Sequence, residues 1–268
     1  LAALEGGQAV PVFTLGRQDR SERFRIPERL YGREEEARLL LAAYERVCDG
    51  RAELLLVGGS PGIGKSALVH EVHKPMTAKR GHFVEGKFDQ VKRSIPYSAL
   101  IQAFDQLARR LLAEPEAELA ERRAVLGKAV GGTGAVITEL IPSFALLLGE
   151  QPPVPPLGPV ESEFRFQMTF QNLVMALATP ERPLVVFLDD LQWADRPSLD
   201  LLAKLAGCAD LRHMLVIGAF RDGEVPAGHP FHKMVEAVRD AGTRVELLAV
   251  APLDEPAVRY PLVAESIT

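Results

Sequence analysis

The sequence predicts an α/β fold, a three-layer sandwich in which helices cover both faces of a parallel β-sheet. Three observations predict it. Short apolar runs recur along the chain with helical stretches between them. The first of these runs leads straight into a glycine-rich turn, GSPGIGKS, from Gly59 to Ser66. A later one, LVVFL, ends in two adjacent aspartates, Asp189 and Asp190.

The elements follow in order. Residues 1–28 mix glycine, charges and short apolar pieces and read as a linker or arm. A helix is predicted from Arg33 to Cys48, with Leu39, Leu40, Ala43 and Tyr44 on one side, and Gly50 ends it. Leu54–Val57 is a continuous apolar run suited to a strand buried on both faces. The next helix begins near Gly64 and Lys65 and carries Ala67, Leu68 and Val72; His82–Glu85 is a short second strand. About a hundred helical residues come next, an insertion from about 97 to 180. Its helices are expected at Tyr97–Leu112, Leu119–Val130 and Val160–Leu177, with QPPVPPLGP (Gln151–Pro159) as a stiff extended connector. Strands return at Leu184–Leu188, Met214–Ala219 and Val245–Val250. Helices at Ser198–Leu205 and His232–Arg239 separate them, and Glu255–Ser266 reads as the start of another.

Composition bounds the function. The chain has 268 residues, 47% hydrophobic and 25% charged, which is ordinary for a folded domain. The net charge of -5 gives no reason to expect nucleic acid or an anionic membrane as a direct partner. No apolar run is long enough to span a bilayer. Cys48 and Cys208 lie far apart with no CxxC companion, so reduced thiols are expected, in keeping with the cytoplasm. The chain starts at Leu1 without a signal peptide and reads as a piece of a longer protein.

GSPGIGKS fits the phosphate-loop pattern G-x-x-x-x-G-K-[ST]. Its glycines let successive N–H groups curl around a phosphate, and the helix N-terminus adds a favourable dipole. The motif sets Gly59, Ser60, Pro61, Gly62, Ile63, Gly64, Lys65, Ser66 and Ala67 against the nucleotide. Lys65 reaches the β- and γ-phosphates, and the Ser66 hydroxyl coordinates Mg²⁺. In FLDDLQWAD, Asp189 holds Mg²⁺ through its water shell and Asp190 orients the attacking water. Aspartate stands where glutamate is usual, so slow turnover is expected. LVIGAFR ends in Arg221, which points at the γ-phosphate if its strand lies beside the phosphate-loop strand. The alternative for Arg221 is an ion pair with Asp222 or Glu224. The spacing of HEVHK (His70–Lys74) fails for a zinc protease, because Lys74 holds the place of the second histidine ligand. Protein-kinase signatures are absent.

LYGREEE, GGSPGIGKSALV, FLDDLQWAD and LVIGAFR together resemble the signal-transducing (STAND) branch of AAA-type P-loop ATPases, with an origin-recognition-like domain. EVHKP, GKFDQVKRSIPYSAL and FRDGEV resemble one subgroup more closely, the ATPase modules of large, mostly bacterial hybrid kinases. There a serine/threonine kinase domain precedes the module, and a sensor domain and a histidine kinase follow it. The resemblance implies a sheet of strand order 5-1-4-3-2, with the insertion between strands 2 and 3 and an ATPase domain over 29–250. It implies that Gly32 and Arg33 lie beside the adenine and that 251–268 begins a helical lid. Pro261 would kink that final helix. No arginine finger is assignable, and a neighbouring copy can supply one by self-association. Lys87 and Asp89 of GKFDQ end the second strand and are expected to form plain salt bridges, the alternative being that they face the nucleotide or a neighbouring subunit, and Trp193 is expected to pack at the sheet edge or a lid.

The expected activity is that of a cytoplasmic Mg²⁺·ATP switch, cycling between ATP and ADP, that signals to the flanking kinase and sensor domains. Two other readings stay open at this level: a non-hydrolysing nucleotide-gated scaffold and a small-molecule P-loop transferase.

Overall fold

The computed structural model describes residues 32–78, 81–91 and 95–253, with side chains omitted at 74–78. The expected arm at 1–28, the lid helix with Pro261 and the Leu30–Tyr31 part of LYGREEE lie outside the described residues. In chain order the elements begin with α1 (Glu34–Cys48), β1 (Ala52–Gly58), α2 (Lys65–Ala78) and β2 (His82–Lys87). The insertion follows as α3 (Ser98–Leu112), α4 (Glu116–Val130), α5 (Ala135–Leu140), α6 (Pro142–Leu148) and α7 (Pro159–Leu177). The chain then returns to the sheet with β3 (Leu184–Asp189), α8 (Arg196–Ala206), β4 (Met214–Phe220), α9 (Pro230–Asp240) and β5 (Arg244–Ala249).

Among the described residues the sheet has five strands, all parallel, in the order β2-β3-β4-β1-β5. This is the order 5-1-4-3-2 of a P-loop NTPase of the AAA type. Side chains of a strand alternate between faces, so each strand feeds two cores. Leu54, Leu56, Val186, Leu188 and Val216 join the core built with the insertion, α8 and α9. Leu55, Val57, Val185, Phe187, Leu215 and Ile217 join a second core with α1 and α2. Each such fully buried side chain contributes about 1.5–3 kcal/mol.

Local chemistry sets the helix starts. Asp195 caps α8 by accepting the Ser198 N–H at 2.8 Å, and a proline in the first turn lets α8 begin two residues before the expected Ser198. Gly50, at φ 97°, lets the chain turn from α1 into β1. The predicted insertion is present, but α5 and α6 escape the sequence reading. Glycines at 131, 132, 134 and 149 flank the pair, and helices of six and seven residues are too short to show a period. Burial of Ile137, Ile141, Phe144 and Leu147 holds them instead. Tyr97, Phe166, Phe170 and Phe104 form an aromatic run between α3 and α7, with centroid separations of 4.7, 5.6 and 4.8 Å.

The β2 edge is covered. Arg110 of α3 donates to the Phe83 carbonyl at 2.5 Å, and the Lys87 N–H donates to Gln102 Oε1 at 3.3 Å. These contacts satisfy edge groups that would otherwise recruit another strand. They need α3 close to β2, and Gly86 permits it. A Cβ at Gly86 would lie 2.0 Å from the Ala99 carbonyl oxygen and 2.7 Å from its carbon. Gly86→Ala is therefore expected to lever α3 off the sheet and cost about 2 kcal/mol, read as a lowered urea midpoint at unchanged slope.

Candidate nucleotide site

All five strands point their C-terminal ends the same way, and the register aligns them. Lys87 faces Asp189 across β2 and β3, and Gly58 faces Phe220 across β1 and β4. The residues just past those ends meet in one cleft of about 250 Å³. It is lined by the loop after β1 together with Lys65, Lys87, Asp189, Asp190 and Arg221.

The loop after β1 has the backbone a phosphate cradle needs. Gly62 and Gly64 have φ of 74° and 99°, the left-handed region that side chains disfavour. A Cβ on Gly59 would strike the Val250 carbonyl oxygen at 2.7 Å. Lys65 opens α2, and its buried ammonium donates to the carbonyls of Gly59 at 2.8 Å and Ser60 at 3.0 Å. Burial lowers its pKa, while the charges of Asp189 and Asp190 work the other way. The Ser66 hydroxyl donates to Asp189 Oδ2 at 3.0 Å. Two motifs 123 residues apart thus meet in one hydrogen bond. Pro61, Gly62 and Ala67 are exposed at the mouth, and Ile63 is partly buried.

Asp190 turns away from the strand in a left-handed conformation, φ 57° and ψ 45°. Its buried carboxylate takes three donors. Gln192 Nε2 reaches Oδ1 at 2.9 Å, Arg221 Nε is 3.3 Å from Oδ1, and Lys87 Nζ is 3.1 Å from Oδ2. Burial pushes this carboxyl's pKa up, but hydrogen bonds from Gln192 and Lys87 and the nearby cations outweigh it, and the net shift is downward. Lys87 is raised in turn, first by its hydrogen bond to Asp190.

Arg221 lies at the end of β4, which runs between β1 and β3. It lines the cleft, and it also pairs with Glu224 at 2.8 Å, which is the ion pair given above as the alternative for this arginine. Arg33 is buried at the start of α1 and donates from Nη2 to the Ile63 carbonyl at 3.4 Å and from Nη1 to Glu36 at 3.0 Å. That contact seats Arg33 and Gly32, at φ 74°, against the phosphate loop.

Residues 29–217 match the family model for the AAA ATPase domain. The chain belongs to the AAA ATPase domain family. The hybrid signal transduction histidine kinase G of Dictyostelium discoideum is 37% identical over 198 residues, or 74% of this chain. This chain spans 6% of the length of that relative. Among solved structures, Cdc6p from Pyrobaculum aerophilum gives a TM-score of 0.49 at 16% identity, over 89% of this chain and 50% of that one. The Aeropyrum pernix Orc1 protein, solved in complex with DNA, gives 0.44 at 18% identity, over 90% and 50%.

The AAA domain's cleft suits Mg²⁺. The cation prefers oxygen ligands and keeps several waters, so one or two protein oxygens suffice. Ser66 Oγ and Asp189 Oδ2, 3.0 Å apart, are such donors. Among the described residues no group of three or more His, Cys, Asp or Glu side chains could hold a metal. His70 and His73 do not converge on one: His70 pairs with Glu85 at 3.5 Å, and His73 stacks on Phe83 at 4.1 Å.

Lys87 salt-bridges as expected, and its partners are Asp189 and Asp190, the carboxylates of the AAA site itself. Sequence reading missed Gln192, named Glu224 only as a candidate partner of Arg221, and set Trp193 at a sheet edge or lid. Trp193 instead lies beneath Arg221, with Nε1 donating to Glu224 at 3.1 Å. The available signal was position: Gln192 and Trp193 follow Asp190 by two and three residues, and Glu224 follows Arg221 by three.

Since its partners hold the Asp190 pKa below the ordinary value, its ionised form contributes stability above about pH 4. That contribution is lost as pH falls through the lower folded-state value. Lys87→Met raises that folded value and shrinks the contribution. The variant should be less stable at neutral pH by about 1 kcal/mol, a figure discounted because the lysine side chain is 62% exposed. It should also lose less further stability between about pH 5 and pH 3, as followed by urea midpoints.

Proposed function

We propose that this AAA domain binds Mg²⁺·ATP, hydrolyses it slowly and serves as a nucleotide-dependent switch in a larger signalling protein. The hydrogen bond from Ser66 to Asp189 beneath the phosphate loop carries this reading. It pairs the two oxygen donors a phosphate-bound Mg²⁺ requires, at a helix N-terminus beside a buried lysine.

Each residue then has a part. Gly59–Ala67 wrap the phosphates, and Lys65 exchanges its two loop carbonyls for phosphate oxygens. Mg²⁺, when bound, neutralises phosphate charge and is held by Ser66 and, through water, by Asp189. Asp190 orients the attacking water, and Arg221 detects the γ-phosphate. Gly32 and Arg33 border the base. ADP is the relaxed-state ligand. The domain covers 29–250, with a linker at 1–28 and a lid beginning at 251. The relative named a histidine kinase supports flanking kinase and sensor domains as the readers of the switch. The STAND assignment, self-association and an arginine finger from a second copy belong to the same proposal, as does a cytoplasmic setting. Among the described residues no helix is long and apolar enough to cross a membrane.

One observation favours a second reading. The Asp190 carboxylate already takes three donors, so a water has to compete for it. A scaffold that binds nucleotide without cleaving it would look the same.

Single-turnover phosphate release from Mg²⁺·ATP separates the two readings. Release by the parent and its loss in Asp190→Asn establish the ATPase; bound nucleotide without release from either leaves the scaffold. Lys65→Ala is expected to weaken ATP binding by about 10- to 100-fold, the worth of a buried charge-assisted pair of hydrogen bonds. Unchanged affinity in a calorimetric titration would remove the phosphate assignment.

A further inference from the structure

Arg221 meets three groups at the rim of the cleft. Its Nε is 3.3 Å from Asp190 Oδ1, its Nη1 is 2.8 Å from Glu224 Oε1, and its guanidinium carbon lies 4.6 Å from the centre of the Trp193 ring. Glu224 also accepts the Trp193 indole N–H at 3.1 Å. One carboxylate therefore holds both the guanidinium and the ring under it. Arg221 Nη2 makes no hydrogen bond among the described residues. The ring and the Asp190 carboxylate come from one short turn after β3, so a single backbone segment sets both.

A free arginine side chain carries about 2 kcal/mol of rotamer entropy. A ring face and a carboxylate that fix its plane remove much of that cost before a ligand arrives. We propose that Trp193 and Glu224 are positioning residues, a clamp that presents Arg221 to the terminal phosphate and so sets the preference for a nucleoside triphosphate over a diphosphate. This rests on the phosphate-site reading above. The incoming terminal phosphate competes with Asp190 for the Nε edge, while the contacts to Trp193 and Glu224 stay in place. A diphosphate offers nothing at that point, so Arg221 remains on Asp190.

Trp193 is the chain's one tryptophan, so its fluorescence reads the clamp directly. The test titrates the parent, Trp193→Leu, Trp193→Phe, Glu224→Ala and Arg221→Ala with Mg²⁺ and either ADP or a non-hydrolysable ATP analogue, by calorimetry. Tryptophan emission is followed in the parent. Trp193→Leu and Glu224→Ala should each cut the triphosphate-to-diphosphate affinity ratio by about fivefold, as the loss of one cation–π or ion-pair contact implies, with ADP affinity unchanged. Trp193→Phe should keep most of the ratio, because a ring face remains. Parent emission should respond to the analogue and not to ADP. An equal loss of affinity for both nucleotides would mean that Trp193 is merely structural and would overturn the clamp. So would an unchanged ratio in Trp193→Leu when Arg221→Ala lowers it. If Arg221→Ala leaves the ratio unchanged in a protein that binds both nucleotides, the clamp has nothing to position and falls while the phosphate site stands. Failure of the parent to bind either nucleotide removes the phosphate site and the clamp together. If Trp193→Leu does not fold, Glu224→Ala and Trp193→Phe decide the matter.

Discussion

The alignment of parallel strand ends is the constraint on which this molecule depends. Met214 of β4 is paired with Ala52 on one side and with Leu184 on the other. The strands then run level, so the phosphate loop, Asp189 and Arg221 leave the sheet at the same height. Parallel strands bring this about because every crossover returns the chain to the same starting edge. A slip of one residue would turn each strand's apolar set to the opposite face and carry the site residues with it. Two separate cores oppose such a slip, one on each face of the sheet.

The cleft is a small, nearly balanced set of charges. Lys65, Lys87 and Arg221 face Asp189, Asp190 and Glu224. Lys65 and Asp190 are the buried members, and buried charges persist only when paired. The pairing explains why Lys65 folds onto two loop carbonyls and why Asp190 draws Gln192, Lys87 and Arg221 around it. The left-handed backbone at Asp190 belongs to this arrangement. A non-glycine residue there carries strain of order 1 kcal/mol, which the three donors to its carboxylate offset.

The same economy is visible at the opposite end of the sheet. Glu53 is buried within β1, where an apolar residue would be usual, and Arg46 of α1 grips it with two bonds of 2.7 Å. Arg46 also reaches Glu246 of β5 at 3.0 Å, tying the helix to two strands. Asp195, close after Trp193, caps α8. Tyr97, in a left-handed conformation at the start of α3, packs at a tilt against Phe166 of the insertion. Beside the nucleotide cleft, Lys87 and Trp193 also line a second, larger hollow with Ser98 and Gln102 of α3. The insertion therefore begins against the residues that ring the phosphate cleft.

The sequence by itself determined a good deal. Continuous apolar runs marked strands buried on both faces, and the glycine spacing of GSPGIGKS marked the phosphate loop, because only glycine tolerates those backbone angles. Asp189 and Arg221 were legible as residues at strand ends, since a short buried strand terminates where polarity returns. Strand order was not legible in the residues; it came with the family resemblance, and pairing between strands far apart in sequence leaves no local trace. Helices α5 and α6 were hidden because they are too short to show a period, with glycines on either side, and tertiary burial sustains them. The partners of Asp190 were hidden for a related reason. Gln192 lies two residues on in the same turn, but Lys87 and Arg221 come from the ends of β2 and β4, and only the level strand ends of the folded sheet bring their charges within reach of one carboxylate.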